Sequence, residues 1–367
     1  MIPINLHKIG EEEIKAVVKV MRSGMLTNGL GTGINVTEFE KNYSLFAGVK
    51  HAIAVNTGTA ALHAAIMAAG IKAGDEVILP SFTFVATAEA VVLAGGKPVF
   101  VDIDPETYTL SPKAIQKAVT EKTKAIVPVD LYGLPADIIP IREIATKQSL
   151  VIIEDCAQSH GAICEGKPAG ALSDLACWSL YAAKNIGTGE GGVVTTDNDA
   201  YAEKVRMVRT HGEKVKYASL MLGTNYRMTE IQAAIGIVQL KRLPEFFEKR
   251  EKNADRLTKK LRKSEKLKLP PKLENRKPSW YLYTVRILNT SAKKRNNIIE
   301  QLRQKGIGAD AYYPTPVHQM PYYQETFGKV NLPETEKAAN QVLSLPIHPG
   351  VTEEQIDLIA KTLLELL

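Results

Sequence analysis

Between Ala52 and Thr196 the chain alternates short β-rich runs with helix-forming stretches. The runs are AIAV, EVILP, PVFVDI, KAIVPV and LVIIED, and helices are expected from Thr59, Thr83 and Pro112 in the gaps. A strand joined to the next through a helix crosses over rather than turning back, so its neighbour lies parallel to it. The pattern therefore predicts an α/β fold with a mainly parallel central sheet flanked by helices. Ligands of such sheets gather in the loops after the carboxyl ends of the strands. Here those loops are Asn56 to Thr59, Pro80 to Phe84, Asp130 to Gly133 and Asp155 to Gln158.

Beyond Thr229 the apolar residues Ile231, Ala234, Ile235, Val238 and Leu240 keep roughly helical spacing, with Pro244 expected to kink or divide the helix. Leu267 to Pro278 is rich in proline and lysine. YLYTVRIL, a helix near Ala292 to Lys305 and a last helix from Thr352 then form a second, smaller α/β unit. The predicted division is a large domain over 1–245 and a small C-terminal domain over 246–367. The first helix is a candidate to pack on the small one.

Several function classes are disfavoured. The start, MIPINLHKIGEEEIKAVVKV, lacks the basic, apolar and cleavage regions of a signal peptide, and no later stretch is apolar for long enough to span a bilayer. Three cysteines, Cys156, Cys164 and Cys177, make no C-x-x-C pair and fit a reducing compartment, so a cytoplasmic protein is expected. Much of the net charge of +6 comes from the run Lys241 to Lys268, which alternates with glutamates as a solvated helix face does, and nucleic-acid binding is not implied. The seven histidines form no H-x-x-x-H or H-E-x-x-H arrangement, so no metal is expected. GLGTG at Gly29 to Gly33 follows a helix and lacks the spacing of the dinucleotide fingerprint.

Three segments carry chemistry. In NTGTAAL, Asn56 to Leu62, a strand runs through Gly58 and Thr59 into a helix whose first N–H groups suit an anion, although Thr59 is equally well placed as a plain N-cap. In LVIIEDCAQSHGA the strand ends in Glu154 and Asp155, which point to opposite faces, so only one of them can face a given pocket; the alternative is a strand-end carboxylate that merely caps a neighbouring helix. In WSLYAAKNIGTGEGG a single lysine, Lys184, sits in a small, apolar, glycine-rich stretch. A shielded lysine keeps a neutral, nucleophilic amine; a snorkelling one does not. An anion cradle, a carboxylate and an amine are together what pyridoxal 5'-phosphate (PLP) asks of a protein.

With GMLTNGLGTGINVTEFE, PSFTFVATAEAV, PVFVDID, LGTNYRMTEIQAAIG and YPTPVH, these segments resemble the DegT family of nucleotide-sugar aminotransferases over nearly the whole chain. The resemblance implies a fold of the aspartate-aminotransferase type, the type I fold of PLP-dependent transferases. It implies a Schiff base on Lys184 and an ion pair from Asp155 to the pyridine nitrogen. Gln158 matches a glutamine beside the phenolic oxygen and Phe84 an aromatic residue stacked on the ring, while Gly58, Thr59 and Ser179 look like phosphate contacts. Asn225 is similar to an asparagine that reaches the phosphate from the partner subunit, which implies a homodimer with shared sites. Thr27, Asn28 and Arg227 match the substrate entrance, and His318 resembles a histidine at the sugar-binding mouth or else a structural one. Relatives in which histidine replaces the lysine dehydrate; this chain keeps Lys184. The implied reaction transfers an amino group from an amino acid, L-glutamate first among them, to a nucleotide-linked keto sugar. A cyclitol ketone as acceptor, or a regulatory protein on the same fold, are the alternatives.

Overall fold

The computed structural model describes residues 1–367. Its centre is a seven-stranded sheet of β1 (His51–Val55), β2 (Glu76–Pro80), β3 (Lys97–Val101), β4 (Thr123–Ile126), β5 (Val151–Asp155), β6 (Leu175–Ser179) and β7 (Gly192–Thr196), in the order β1-β7-β6-β5-β4-β2-β3. Only β7 runs against the others, paired antiparallel to β1 and β6. Its first residue must be glycine, because a Cβ on Gly192 would collide with the Thr57 carbonyl. Of the helices packed on the sheet, α1 (Glu11–Ser23), α2 (Ile34–Ala47), α3 (Gly58–Ala68), α4 (Ala86–Leu93) and α5 (Asp199–Arg209) bear on the site. The buried face of α3 lays Leu62, Ala65 and Ile66 against Val55, Leu79 and Ile153 of the strands. The other face of the sheet carries Ala54, Ala176 and Val193 against Phe39 and Tyr43 of α2. The fold class expected from the alternating pattern is the one observed.

The long helix α6 (Glu230–Leu261) is continuous through Pro244, so of the expected kink or division the division does not occur. Proline removes one main-chain hydrogen bond at a cost of about 3 kcal/mol in a free helix. Here both halves are clamped: Ala233, Ile237 and Leu243 pack in the core of the large unit, and Ala254, Leu257 and Leu261 pack in that of the small unit. Position 245 thus lies inside a helix that both cores share. The small unit adds an antiparallel sheet of β8 (Leu267–Lys268), β9 (Tyr283–Ile287) and β10 (Val342–Leu345), covered by α7 (Ala292–Gln304) and α9 (Glu353–Leu366), with α8 (Pro333–Gln341) beside β9.

The first helix does not pack on the small unit. It lies on the first half of α6, because its buried Glu13 is compensated there by Arg242 Nη1 and Gln239 Nε2, each at 2.6 Å. The segment before it joins the small unit instead: the Ile2 amide donates to the Gly306 carbonyl, and the Ile2 carbonyl accepts from Gly308. On the outer side of α1, Ile14, Val18 and Met21 remain exposed. No helix is long and apolar enough to cross a membrane.

Candidate active site

Side chains from the carboxyl ends of four strands meet around one cavity of about 540 Å³. Thr57, Gly58 and Thr59 follow β1, Thr83, Phe84 and Thr87 follow β2, Asp155 ends β5 with Gln158 beyond it, and Ser179 ends β6 with Lys184 beyond it. The fourth expected loop, Asp130 to Gly133, lends its main chain rather than its side chains. Val129 lines the wall, the Tyr132 amide donates to Gln158 Oε1 at 2.7 Å, and Asp130 is buried beside Glu154.

At β1 the helix cap is Thr57, not Thr59: its Oγ1 accepts from the Ala60 amide at 3.0 Å. Both threonines are sound caps, and the one that ends the extended backbone takes the role. This frees the Thr59 hydroxyl for the cavity and leaves the first amides of α3 at its rim. Gly58 has no room for a side chain, since a Cβ there would lie 2.7 Å from Ser179 Cβ. The turn and the serine together form a narrow cradle, suited to an anion.

Of the adjacent carboxylates, Asp155 faces the cavity while Glu154, on the opposite face, accepts from the Gly170 amide. Asp155 Oδ2 accepts from Thr87 Oγ1 at 2.8 Å and Oδ1 from the Ala157 amide at 3.2 Å. Burial pushes its carboxyl above the ordinary value; these two hydrogen bonds and the charge of Lys184 pull the other way. Burial likewise lowers the Lys184 ammonium to about 8, against the charges of Asp155 and Tyr181, which raise it. Lys184 Nζ stands 4.7 Å from the centroid of the Tyr281 ring. The snorkelling alternative fails: this amine is turned inward, where about a tenth of it is neutral at pH 7, far more than for an exposed lysine.

Phe84 sits at the mouth, its ring 6.0 Å from that of Tyr313. Tyr281, Tyr312 and Tyr313 come from the small unit and close the far wall, and the sequence reading missed them. It missed Thr57, Thr87 and Glu190 as well. Thr57, Thr87, Tyr281 and Tyr313 stand inside segments already quoted, NTGTAAL, PSFTFVATAEAV, YLYTVRIL and YPTPVH, so a signal existed; what no local rule says is that the tyrosines reach back to the ends of the strands.

Five expected residues do not line this cavity. Thr27 and Asn28 lie in an exposed loop in which Asn28 Oδ1 accepts from the Leu30 amide. Asn225 and Arg227 flank Tyr226, whose carbonyl accepts from the Asn56 amide, on a segment bridged to the end of β1. His318 is buried at 2% exposure, with Nδ1 2.6 Å from Ser81 Oγ and Nε2 3.3 Å from Glu336. Both ring nitrogens are thus engaged inside the protein, an arrangement that suits the structural alternative.

A model of the DegT/DnrJ/EryC1/StrS aminotransferase family matches residues 7–364. The chain belongs to that family. Among its curated relatives, the pleiotropic regulatory protein of Geobacillus stearothermophilus is 40% identical over 96% of this chain and 95% of that protein. The GDP-perosamine synthase of Caulobacter vibrioides is 40% identical over 90% of each chain. Of solved structures, Streptomyces venezuelae DesV in complex with a ketimine intermediate is 36% identical over 96% of this chain and 94% of that one, with a TM-score of 0.91. The PLP form of a sugar aminotransferase described as putative, Spr1654 from Streptococcus pneumoniae, reaches a TM-score of 0.94 at 29% identity, covering 100% of this chain and 98% of that one.

This DegT-family member is a PLP-dependent aminotransferase with the fold of its relatives. Its residues fit the cofactor on their own chemistry. The cradle of Gly58 and Ser179 excludes side chains but not an anion, the buried Asp155 accepts two hydrogen bonds that support its carboxylate against burial, and one amine, Lys184, faces the same space.

Proposed function

We propose that this sugar aminotransferase carries an amino group from L-glutamate to the keto carbon of a nucleotide-linked sugar, with Lys184 as the amine to which the cofactor is joined. The observation that carries the reading is Lys184 and Asp155 on one cavity, the first with its ammonium lowered to about 8. Bound PLP supplies an aldehyde carbon that takes up the amino group and a ring that accepts the electrons released at the donor's Cα.

The chain's own residues then have separable tasks. Gly58, Thr59 and Ser179 would hold the phosphate, Asp155 would keep the ring nitrogen protonated, Gln158 would serve the phenolic oxygen, and Phe84 would cover the ring. Lys184, once freed by the donor, would take a proton from the donor's Cα and return it to the carbon on the other side of the nitrogen; an amine lowered to about 8 can do both. Thr27, Asn28 and Arg227 belong at the entrance, where a guanidinium fork suits a diphosphate oxygen.

We further propose a cytoplasmic homodimer in which Asn225 reaches the phosphate of the neighbouring copy. Two observations support it: Asn225 lies beside the end of β1 yet outside its own cavity, and α1 leaves Ile14, Val18 and Met21 exposed along one stripe. The choice of a nucleotide sugar over a cyclitol ketone draws on relatives such as the GDP-perosamine synthase and the dTDP-3-amino-3,4,6-trideoxy-alpha-D-glucose transaminase of Streptomyces venezuelae, 37% identical.

The deciding experiment is the visible spectrum of the PLP-loaded protein before and after L-glutamate, followed by turnover with nucleotide-linked keto sugars and with cyclitol ketones. The expected result is a yellow band that bleaches with glutamate and returns only with a nucleotide-linked acceptor. One relative is named a regulatory protein, which favours a second reading as a sensor. A band indifferent to every donor would support that reading.

A further inference from the structure

Thr87 Oγ1 donates to Asp155 Oδ2 at 2.8 Å and lies 2.9 Å from Thr83 Oγ1. Thr87 is fully buried, Thr83 is 2% exposed, and both line the cavity. A hydroxyl has one proton to give. That of Thr87 is committed to a carboxylate, which can only accept, so the bond between the two hydroxyls must run from Thr83 to Thr87. The result is a one-way chain of donors, Thr83 to Thr87 to Asp155, in which each bond polarises the next.

The ionisable groups that face Asp155 come from several elements. Cys156 follows it in the chain, Cys177 lies on β6, Tyr313 comes from the small unit, and Lys184 follows β6. Burial keeps both thiols and the phenol protonated at neutral pH, which leaves Lys184 as the only charge among them. When Lys184 is joined to a cofactor, that ammonium is gone. What the chain can still offer Asp155 is the hydroxyl chain and the Ala157 amide.

We propose that Thr83 and Thr87 are positioning residues that keep Asp155 ionised and aimed into the cavity, so that it can hold the cofactor's ring nitrogen protonated. This rests on the reading of Asp155 given above. Neither threonine touches the reacting atoms; both act through the carboxylate.

The test is a pH titration of the visible band of the PLP-loaded protein for the wild type and for Thr87→Val, Thr87→Ser and Thr83→Val, with circular dichroism to check folding. A ring less firmly protonated withdraws less from the imine nitrogen. Thr87→Val should therefore titrate about one pH unit higher, with kcat down about tenfold. Thr87→Ser should coincide with the wild type, and Thr83→Val should shift the same way by less. The proposal is overturned if Thr87→Val titrates with the wild type, or if Thr87→Ser shifts as far as Thr87→Val, which would make size and not the hydroxyl the cause. Should Thr87→Val fail to fold, Thr83→Val decides: an upward shift upholds the proposal and no shift overturns it. A wild type without any band would defeat the reading of the site along with this proposal, whereas a band that bleaches with glutamate beside an unmoved Thr87→Val defeats this proposal alone.

Discussion

Gln158 Nε2 donates to the Tyr313 hydroxyl at 3.1 Å, while Gln158 Oε1 accepts from the Tyr132 amide at 2.7 Å. One side chain thereby ties the large unit to a tyrosine that the small unit brings in. Burial holds the Tyr313 phenol protonated, so its hydroxyl keeps a proton to donate into the cavity across the working pH range. Tyr313→Phe should lower kcat/KM about fivefold, the worth of about 1 kcal/mol of hydrogen bond, with no loss of fold. Steady-state kinetics beside a thermal melt would check it.

Lys184 sets a pH dependence. Burial disfavours the ammonium and lowers it to about 8, and the reactive form is the neutral amine. The rate at which PLP added to cofactor-free protein develops the yellow band should rise with pH through 8 and level off above about 9. An ordinary exposed lysine, at 10.5, would keep accelerating beyond that point. A rate still climbing steeply there would contradict the burial argument. Lys184→Ala should bind PLP without forming the band and should lose turnover altogether.

Gly58 is a steric requirement. A methyl group there would sit 2.7 Å from Ser179 Cβ and 3.0 Å from its Oγ, so one wall of the cradle must move. Gly58→Ala is expected to weaken PLP binding about tenfold or more, which equilibrium dialysis reads directly, while stability changes by only about 1–2 kcal/mol.

Shared sites in a dimer can be tested by mixing. Lys184→Ala and Asn225→Ala proteins, each weak or inactive alone, should regain part of the activity after subunit exchange, because a mixed dimer contains one site with both residues intact. No recovery, with exchange demonstrated by mass, would count against Asn225 acting on the neighbouring copy.

His318 provides a contrast. With Nδ1 on Ser81 and Nε2 near Glu336, His318→Ala should cost about 1–3 kcal/mol of stability and leave the KM for the sugar substrate within about twofold. A large KM change at unchanged melting temperature would return it to the substrate mouth.

The sequence by itself determined the parts that local rules govern. Short runs such as EVILP, joined by helices, dictate parallel strands through crossover geometry, and parallel strands dictate where loops converge. Strand alternation separates Glu154 from Asp155, and a lone lysine among glycines marks Lys184. What only the tertiary structure decided depends on contacts between distant segments. Thr57 rather than Thr59 caps α3, because two threonines two residues apart satisfy the same local rule and the approach of Ser179 and Gly192 fixes where the turn falls. Pro244 stays inside a helix because two separate cores clamp it, and α1 goes to Arg242 because that is where a buried Glu13 finds its counter-charge. Tyr281, Tyr312 and Tyr313 reach the cavity only because the small unit folds back over the ends of the strands. His318 is buried for the same kind of reason, since Ser81 lies 237 residues from it in sequence and meets it only in the packed chain. Local propensity and periodicity act over a few residues, whereas a counter-charge, a clamp or a third wall is supplied by whatever the fold brings near.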